Sequence, residues 1–221
     1  MASIKMLVSE FAHSLGQPNN EALKENIKSL LLHTRSEIIR RSFENHRYID
    51  KSLTQRFVVS LTDVPDGEIE NDEVTKIKKT TQQVPKPIRL INNLPFDRVG
   101  TIGYKFNKEF PYIKESIARF RKYTPGLQGL PCYDYINGYI YIFPVCGKYM
   151  NLNKLVIEGV FENPNIVSIE NGEIDINNTL NDDNEWLLSE DMVGQLKDII
   201  YKRDLLQTIR ETNETPNNIK F

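Results

Sequence analysis

The sequence has little of the side-chain chemistry on which most metal and catalytic sites depend. Among its 221 residues there are two cysteines and three histidines. Cys132 and Cys146 are too few and too far apart for a zinc site, and they are typical of free thiols in a reducing compartment. His13, His33 and His46 lack the spacing of metal ligands. We therefore expect neither a zinc enzyme nor a small secreted domain held together by disulfides.

Phosphate-binding loops and nucleophile elbows are also absent as sequence patterns. The carboxylates and lysines from Asp66 to Lys76 resemble a nuclease centre only loosely, because Glu73 is not followed by a lysine two residues later. The acidic run from Asp175 to Asp183 lacks the spacing of a calcium-binding EF-hand loop. The sequence thus predicts a protein that is not an enzyme, with no catalytic residues, no cofactor and no metal.

Long apolar runs are missing as well. No stretch approaches the ~18 apolar residues that are needed to span a bilayer. Glu10 and His13 interrupt the apolar residues near the start, which is unlike a signal peptide. We therefore expect no membrane insertion.

The apolar residues that are present follow a helical period near both ends of the chain. Residues 3–15 predict a first helix, and a second begins after Asn20 and runs to about Asn45. Two antiparallel helices joined by a short turn leave apolar surface uncovered, so this hairpin needs a sheet or another subunit. Ser189 predicts the start of a final helix that runs to about Arg210. The stripe of the second helix consists of Leu23, Ile27, Leu30, Leu31, Thr34 and Ile38.

Between the helices the hydrophobic period changes to two, which is typical of strands. Strands are predicted over 56–63 and 155–161, with a short one over 172–176. Lysines and threonines alternate over 74–84, which indicates an exposed edge strand or arm. A short helix is predicted over 113–123.

The clearest local pattern is Asn137-Gly138 between two β-favouring runs, which predicts a type I′ hairpin. A two-residue loop pairs the residues on either side of it, Ile136 and Tyr139. Aromatic residues then lie on both faces of the hairpin. We expect one face to pack in the core and the other, which carries Tyr139 and Tyr141, to meet a neighbouring molecule.

Together these patterns predict an α+β fold, in which an N-terminal helical hairpin and a C-terminal helix accompany a mostly antiparallel β-sheet or small β-sandwich. The predicted organisation is a helical hairpin over 1–48, a mainly β region with one short helix over 49–187, a C-terminal helix over 188–210 and a polar tail or arm over 211–221.

Charge is unevenly distributed, although the formal net charge is only −2. Residues 155–196 include ten acidic side chains and no lysine or arginine. Such a segment could be a solvated acidic loop, or it could associate with a basic surface of another copy or of a stacked partner. Glu170, Glu173, Asp182 and Asp183 belong to this segment.

Positive charge accumulates at the C-terminal end of the second helix, where cations are locally favourable. Seven basic residues, counting one histidine, fall within 35–56. This segment is a candidate docking surface for acidic segments of a partner, or a site for DNA phosphates. The alternative is a solvated helix face. The candidate contact residues are Arg35, Arg40, Arg41, Arg47 and Arg56.

Four stretches of the chain resemble a known family. They are FAHSLGQPNNEALKENIKSLLLHTRSEIIRRSFENHRYIDKSLTQRF from Phe11, PKPIRLINNLPFDRVGTIGY from Pro85, YDYINGYIYIF from Tyr133 and KDIIYKRDLLQ from Lys197. These stretches resemble virion structural proteins of crAss-like, short-tailed bacteriophages, which form rings in the tail barrel or head–tail connector. The similarity extends over about 6–207 and does not depend on one short motif.

The resemblance implies a non-enzymatic ring protein with a copy number of about twelve that follows portal symmetry. It implies contacts with itself and with portal or adjacent tail-ring proteins, for which the arginine-rich segment is the candidate inter-subunit or inter-ring contact. It also implies non-specific passage of genomic DNA through the lumen. Glu170, Glu173, Asp182 and Asp183 could line that channel, where negative charge would keep DNA from adhering. The protein would be assembled in the cytoplasm of the bacterial host and would end in the virion. Residues 163–184 match no part of the resemblance and are interpreted as a lineage-specific loop. From the residues alone, a monomeric DNA-binding or packaged virion-associated protein is the alternative.

Overall fold

The structure is a computed structural model. It describes residues 3–64, 76–102, 109–114, 117, 123, 125, 129–145, 149–164, 169–170, 173–174, 183 and 186–205. The chain divides into two compact units. The first, which we call the helical unit, comprises Met1–Leu53 with Asn181–Phe221, and the second, the sheet unit, comprises Thr54–Leu180. The predicted α+β class is confirmed.

Among its described residues, the helical unit contains three α-helices. They are α1 (Ile4–Ser14), α2 (Glu21–His46) and α3 (Glu190–Ile199), and α3 continues into a π-helical segment, Ile200–Leu205. As predicted, Asn20 caps α2, because its side-chain oxygen accepts a hydrogen bond from the Leu23 N–H at 3.1 Å. Ser189 is the N-cap residue of α3, but its side chain makes no capping hydrogen bond.

The apolar faces of α1 and α2 are covered from within the chain. The predicted stripe of α2 packs against α1 and against residues that follow the sheet unit in sequence. We expected the hairpin to need a sheet or another subunit, and that expectation was wrong, because α3 and the segment before it provide the cover. The buried residues of this core are Ile4, Leu7, Val8, Phe11, Ala12, Ile27, Leu31, Ile38, Trp186, Leu188, Leu196 and Ile200.

The sheet unit contains eight described strands. They are β1 (Gln55–Asp63), β2 (Lys76–Thr80), β3 (Arg98–Gly100), β4 (Cys132–Ile136), β5 (Tyr139–Val145), β6 (Lys154–Gly159), β7 (Ile169–Glu170) and β8 (Glu173–Ile174). The antiparallel path runs β3-β6-β1-β2-β5-β4. The short antiparallel β7/β8 hairpin joins β1 through one parallel pair, Val58 with Glu173.

The predicted type I′ hairpin is confirmed in β4 and β5. Asn137 and Gly138 both have positive φ, 51° and 85°, as this turn requires. The register pairs Ile136 with Tyr139 and Cys132 with Phe143. Cys132 is buried, and its Sγ lies 3.8 Å from the Leu130 carbonyl oxygen, whereas Cys146 lies outside the described residues.

The two faces of this hairpin pack into two different clusters of the sheet unit. Tyr133, Ile140 and Ile142 belong to the main core, which confirms that one face is interior. Tyr141 and Phe143 belong to a smaller buried cluster on the other face. That face is thus largely covered by residues of the same chain.

Strand β2 is not the exposed edge that the lysine and threonine alternation indicated. It lies between β1 and β5 in the sheet, and Lys78 is buried. The Lys78 ammonium donates to the Leu152 carbonyl at 2.8 Å and to Asn153 Oδ1 at 3.3 Å. These partners compensate the loss of water around the charge. The predicted helix over 113–123, by contrast, lies mostly outside the described residues.

Substitution by alanine should change the stability of the protein in opposite directions at two glycines. Gly138 has room for a Cβ, with Gln83 at 3.5 Å, but its φ is +85°, so Gly138→Ala should destabilise the sheet unit by about 1–2 kcal/mol. Gly194 lies within α3 with no atom within 4 Å of a new Cβ, so Gly194→Ala should stabilise the helical unit by about 0.5–1 kcal/mol. Thermal unfolding of the two variants measures both effects. Shifts in the same direction would contradict these backbone assignments.

Candidate assembly surfaces

The C-terminal end of α2 presents a charged and aromatic surface. Arg40, Arg41, Glu44, Arg47 and Tyr48 are all exposed there, and we call these five residues the α2-end patch. Tyr48 is 66% exposed, which is unusual for a large aromatic side chain. Arginine and tyrosine are the residues most enriched at the centres of protein interfaces. Tyr48 was not predicted from the sequence as a contact residue. Its position just after the helix and outside the apolar stripe could have indicated that it is exposed.

Arg47 ends α2 in a left-handed backbone conformation. Its φ is 54° and its N–H donates to the Phe43 carbonyl at 2.7 Å. Glycine is the residue that adopts this conformation without cost, and other residues do so at the expense of stability. The Arg47 guanidinium lies over the Phe43 ring, 5.9 Å from its centroid, a cation–π contact that holds the side chain in place.

Arg41 extends the patch toward α3. Its guanidinium contacts the Glu37 carboxylate at 2.6 Å, an ion pair at the spacing of four residues that brings side chains together on a helix. A shallow groove of the helical unit lies beside this pair and is lined by Arg41, Gln195, Asp198, Ile199 and Lys202. Lys202 in turn pairs with Asp198 at 3.0 Å. The groove therefore carries paired charges of both signs.

Arg35 does not belong to a contact surface, and this part of the prediction was wrong. Its side chain is fully buried, and Nε donates to the Leu187 carbonyl at 3.1 Å. Burial lowers the pKa of the Arg35 guanidinium to about 10, because the charged form loses hydration. The helical spacing could have indicated this position, since Arg35 lies four residues after Leu31 and three before Ile38.

Arg56 belongs to the sheet unit, where it makes ion pairs within the chain. Its Nε lies 3.2 Å from Glu158, its partner on the neighbouring strand. Arg98 also contacts Glu158, at 3.7 Å, and Glu109 at 3.5 Å. Because this network satisfies Arg56 internally, it favours a structural role for that residue over a contact role.

The two hairpin tyrosines proposed as contacts differ in their exposure. Tyr141 is buried, 8% exposed, in the small cluster with Cys132 and Phe143. It is therefore covered by its own chain, and its prediction as a contact was wrong. Tyr139 is only half-buried, and the Lys79 ammonium lies 5.6 Å from its ring centroid. Tyr139 stays a candidate contact.

Several residues of the acidic segment make ion pairs within their own unit. In the sheet unit Glu162 pairs with Lys86 at 3.0 Å, and Glu158 pairs as described above. In the helical unit Asp183, proposed for the channel, pairs with Lys5 at 2.9 Å. These contacts reduce the negative charge that the segment offers to a partner or to DNA.

Two of the remaining channel candidates, Glu170 and Glu173, belong to the β7/β8 hairpin. Glu170 and Glu173 occupy directly opposed positions of this two-stranded ladder. Asp182 lies outside the described residues. The prediction that these acids line a channel stays a prediction.

The described residues form neither a metal-binding cluster nor a membrane-spanning helix. Within that part of the chain, no group of three or more histidines, cysteines, aspartates or glutamates could hold a metal ion. No helix in the same part is both long and apolar enough to cross a bilayer.

Comparison with known proteins shows which family the chain belongs to. No curated protein is significantly similar to the chain. The sequence model of the family described as phage tail ring protein 2, however, matches residues 6–220 and so extends over both units. This match confirms the resemblance to tail ring proteins of crAss-like phages. The chain therefore belongs to the phage tail ring protein 2 family and is a structural component of the tail.

Proposed function

We propose that this protein assembles with copies of itself into a closed ring of the tail, through which genomic DNA passes without specific contacts. The observation that carries this proposal is the family match over 6–220, which includes both compact units. The α2-end patch supports it, because exposed arginine and tyrosine side chains of a folded unit suit a protein contact.

In this proposal the ring has about twelve copies, because a ring stacked on the portal follows the symmetry of the portal. Its faces contact the portal or adjacent tail-ring proteins above and below. Assembly takes place in the cytoplasm of the host, and the mature protein resides at the tail or head–tail junction of the virion. The role is mechanical, and no step of catalysis is assigned to any residue.

A second candidate function is that of a monomeric DNA-binding or packaged virion protein. The exposed arginines Arg40, Arg41 and Arg47 favour it, since phosphate contacts are made by such cations. The carboxylates of Glu37 and Glu44 argue against it. They lie among these arginines along α2 and would repel a phosphate backbone.

The mass of the purified protein in solution distinguishes the two functions. Sedimentation velocity at micromolar concentration should show one discrete large species, because a closed ring has a fixed copy number. Its DNA affinity should be weak and should change little with sequence. A monomer whose DNA affinity falls steeply with salt would contradict the ring and support the second function.

A further inference from the structure

The two end strands of the antiparallel path in the sheet unit, β3 and β4, both pair with the same short segment. This segment consists of residues 109–113, and we call it the strap. The end strand of a sheet presents outward-pointing N–H and C=O groups, which are a template for a strand of another chain. The strap therefore lies where such a strand would add.

On the β3 side the strap pairs in the antiparallel sense. Glu109 is the partner of Gly100, and the Phe110 N–H donates to the Val99 carbonyl at 2.7 Å. The Glu109 carboxylate also lies 3.5 Å from Arg98 Nε. The Phe110 side chain is buried in the main core of the sheet unit. Backbone pairing, an ion pair and side-chain burial thus fix the strap to β3.

On the β4 side the strap pairs in the parallel sense, through Tyr112 and Tyr133. The Tyr133 N–H donates to the Pro111 carbonyl at 3.0 Å, and the Tyr133 carbonyl accepts from the Ile113 N–H at 2.9 Å. The rings of Tyr112 and Tyr133 lie 5.5 Å apart. Both outward-pointing backbone groups of Tyr133 are therefore occupied by the strap.

Asp134 joins the strap to β4 and covers a further backbone group of that strand. Because backbone groups two residues apart point to the same side of a strand, the Tyr135 N–H points outward like that of Tyr133. The buried Asp134 carboxylate accepts from this N–H at 2.8 Å. It also accepts a hydrogen bond from the Tyr112 hydroxyl, and burial together with this carboxylate raises the pKa of Tyr112.

We propose that the strap closes the sheet unit against strand addition by other copies, so that contacts between copies are made by side-chain surfaces. Without the strap, β4 of one copy could pair with β3 of the next. Such a contact joins two different surfaces, and where its rotation does not close, it continues into a filament. An assembly of fixed copy number needs that route blocked. The inference concerns the sheet edges and goes beyond the proposed ring.

The test releases the strap in the full chain by changing Asp134. Asp134→Ala leaves the Tyr135 N–H and the Tyr112 hydroxyl without this acceptor, whereas Asp134→Asn keeps a carbonyl oxygen that can accept. Hydrogen exchange is followed by mass spectrometry of peptides that contain residues 109–114 and 132–136. In Asp134→Ala these peptides should exchange at least ~10-fold faster than in the wild type, and in Asp134→Asn by clearly less.

Release of the strap should also cause polymers to grow. Asp134→Ala at micromolar concentration should form species whose mass increases with time and which bind thioflavin T, as stacked strands do. The wild type and Asp134→Asn should form none. Val59→Ala is the control for lost stability, because Val59 is buried in the central strand β1. At a temperature where it is as stable as Asp134→Ala, it should form no such polymers.

Tyr112→Phe provides a milder release that decides the test if Asp134→Ala fails to fold. It removes only the hydroxyl that bonds to Asp134, so exchange in the strap should rise roughly 3-fold. Tyr139→Phe is the matched control, because Tyr139 is also half-buried but lies on β5. It should leave exchange in the strap unchanged.

The outcomes separate the strap from the ring. Unchanged exchange in the strap and β4, in a folded Asp134→Ala or in Tyr112→Phe, would overturn the role of Asp134 in holding the strap. Faster exchange without polymers would overturn the protection against strand addition. A wild type that stays monomeric would contradict the proposed ring and leave this inference standing.

Discussion

A phage whose chain carries glutamate at Arg40, Arg41 and Arg47 is expected to produce no complete virions. Reversing a charge at an interface costs about 2–5 kcal/mol, while a contact of nanomolar strength amounts to about 12 kcal/mol. Three reversals therefore remove most or all of the free energy that holds the neighbours together. Plaque titre and electron micrographs of lysates, with the variant supplied in trans to a phage lacking this gene, measure the effect.

Two controls show whether the loss is specific to the α2-end patch. Glutamine at the same three positions removes charge without reversing it and should leave partial assembly. Glutamate at Lys86, Lys114 and Lys154, which are exposed in the sheet unit, makes the same change of net charge and should leave virions intact. Normal joining of heads and tails in the triple arginine variant would show that the patch is a solvated surface.

The substitution Phe11→Ala is expected to cost the helical unit about 3–5 kcal/mol, the usual cost of removing a buried phenylalanine. Phe11 is fully buried and its ring lies 4.9 Å from that of Tyr201. Domains are stable by only about 5–15 kcal/mol, so the loss is a large part of the total. In urea the unfolding midpoint of this unit should fall by roughly 2 M.

Tryptophan fluorescence can follow this unit specifically, because the chain has a single tryptophan and Trp186 lies in the helical core. Met6→Ala is the matched control, since Met6 lies on the same helix and is 60% exposed. It should change stability by no more than about 0.5 kcal/mol. Equal midpoints for the two variants would mean that α1 is not packed as described.

Local patterns predicted those parts of the fold whose causes lie within a few neighbouring residues. The Asn137-Gly138 pair predicted both the hairpin and its register. A type I′ turn requires positive φ at two successive residues, and its two-residue loop determines which residues of the two strands pair. Asn20 predicted the start of α2, because its side-chain oxygen can accept a hydrogen bond from an N–H group of the first helical turn.

Features that depend on distant partners were not predictable in this way. The sequence pattern indicates that Lys78 is an exposed residue of an edge strand. It is nevertheless buried, because the Leu152 carbonyl and Asn153 accept hydrogen bonds from its ammonium group. The cover of the α1–α2 hairpin lies more than a hundred residues further along the chain, at Trp186 and Leu196. A short stretch of sequence does not contain both partners of such contacts.

The arginine-rich end of α2 is an exposed surface, but Arg35 is interior and Arg56 pairs with Glu158. A run of arginines shows where charge accumulates, while the partner of each guanidinium is decided by tertiary structure. The remaining exposed arginines, Arg40, Arg41 and Arg47, stay candidates for the proposed contact.

Electron cryo-microscopy of intact virions tests the proposed ring most directly. The expected result is a closed ring of this protein around the DNA path, with Arg40 and Arg47 of each copy at the boundary with the next. Copies that lie singly inside the particle, or an open arrangement without a closed ring, would contradict it.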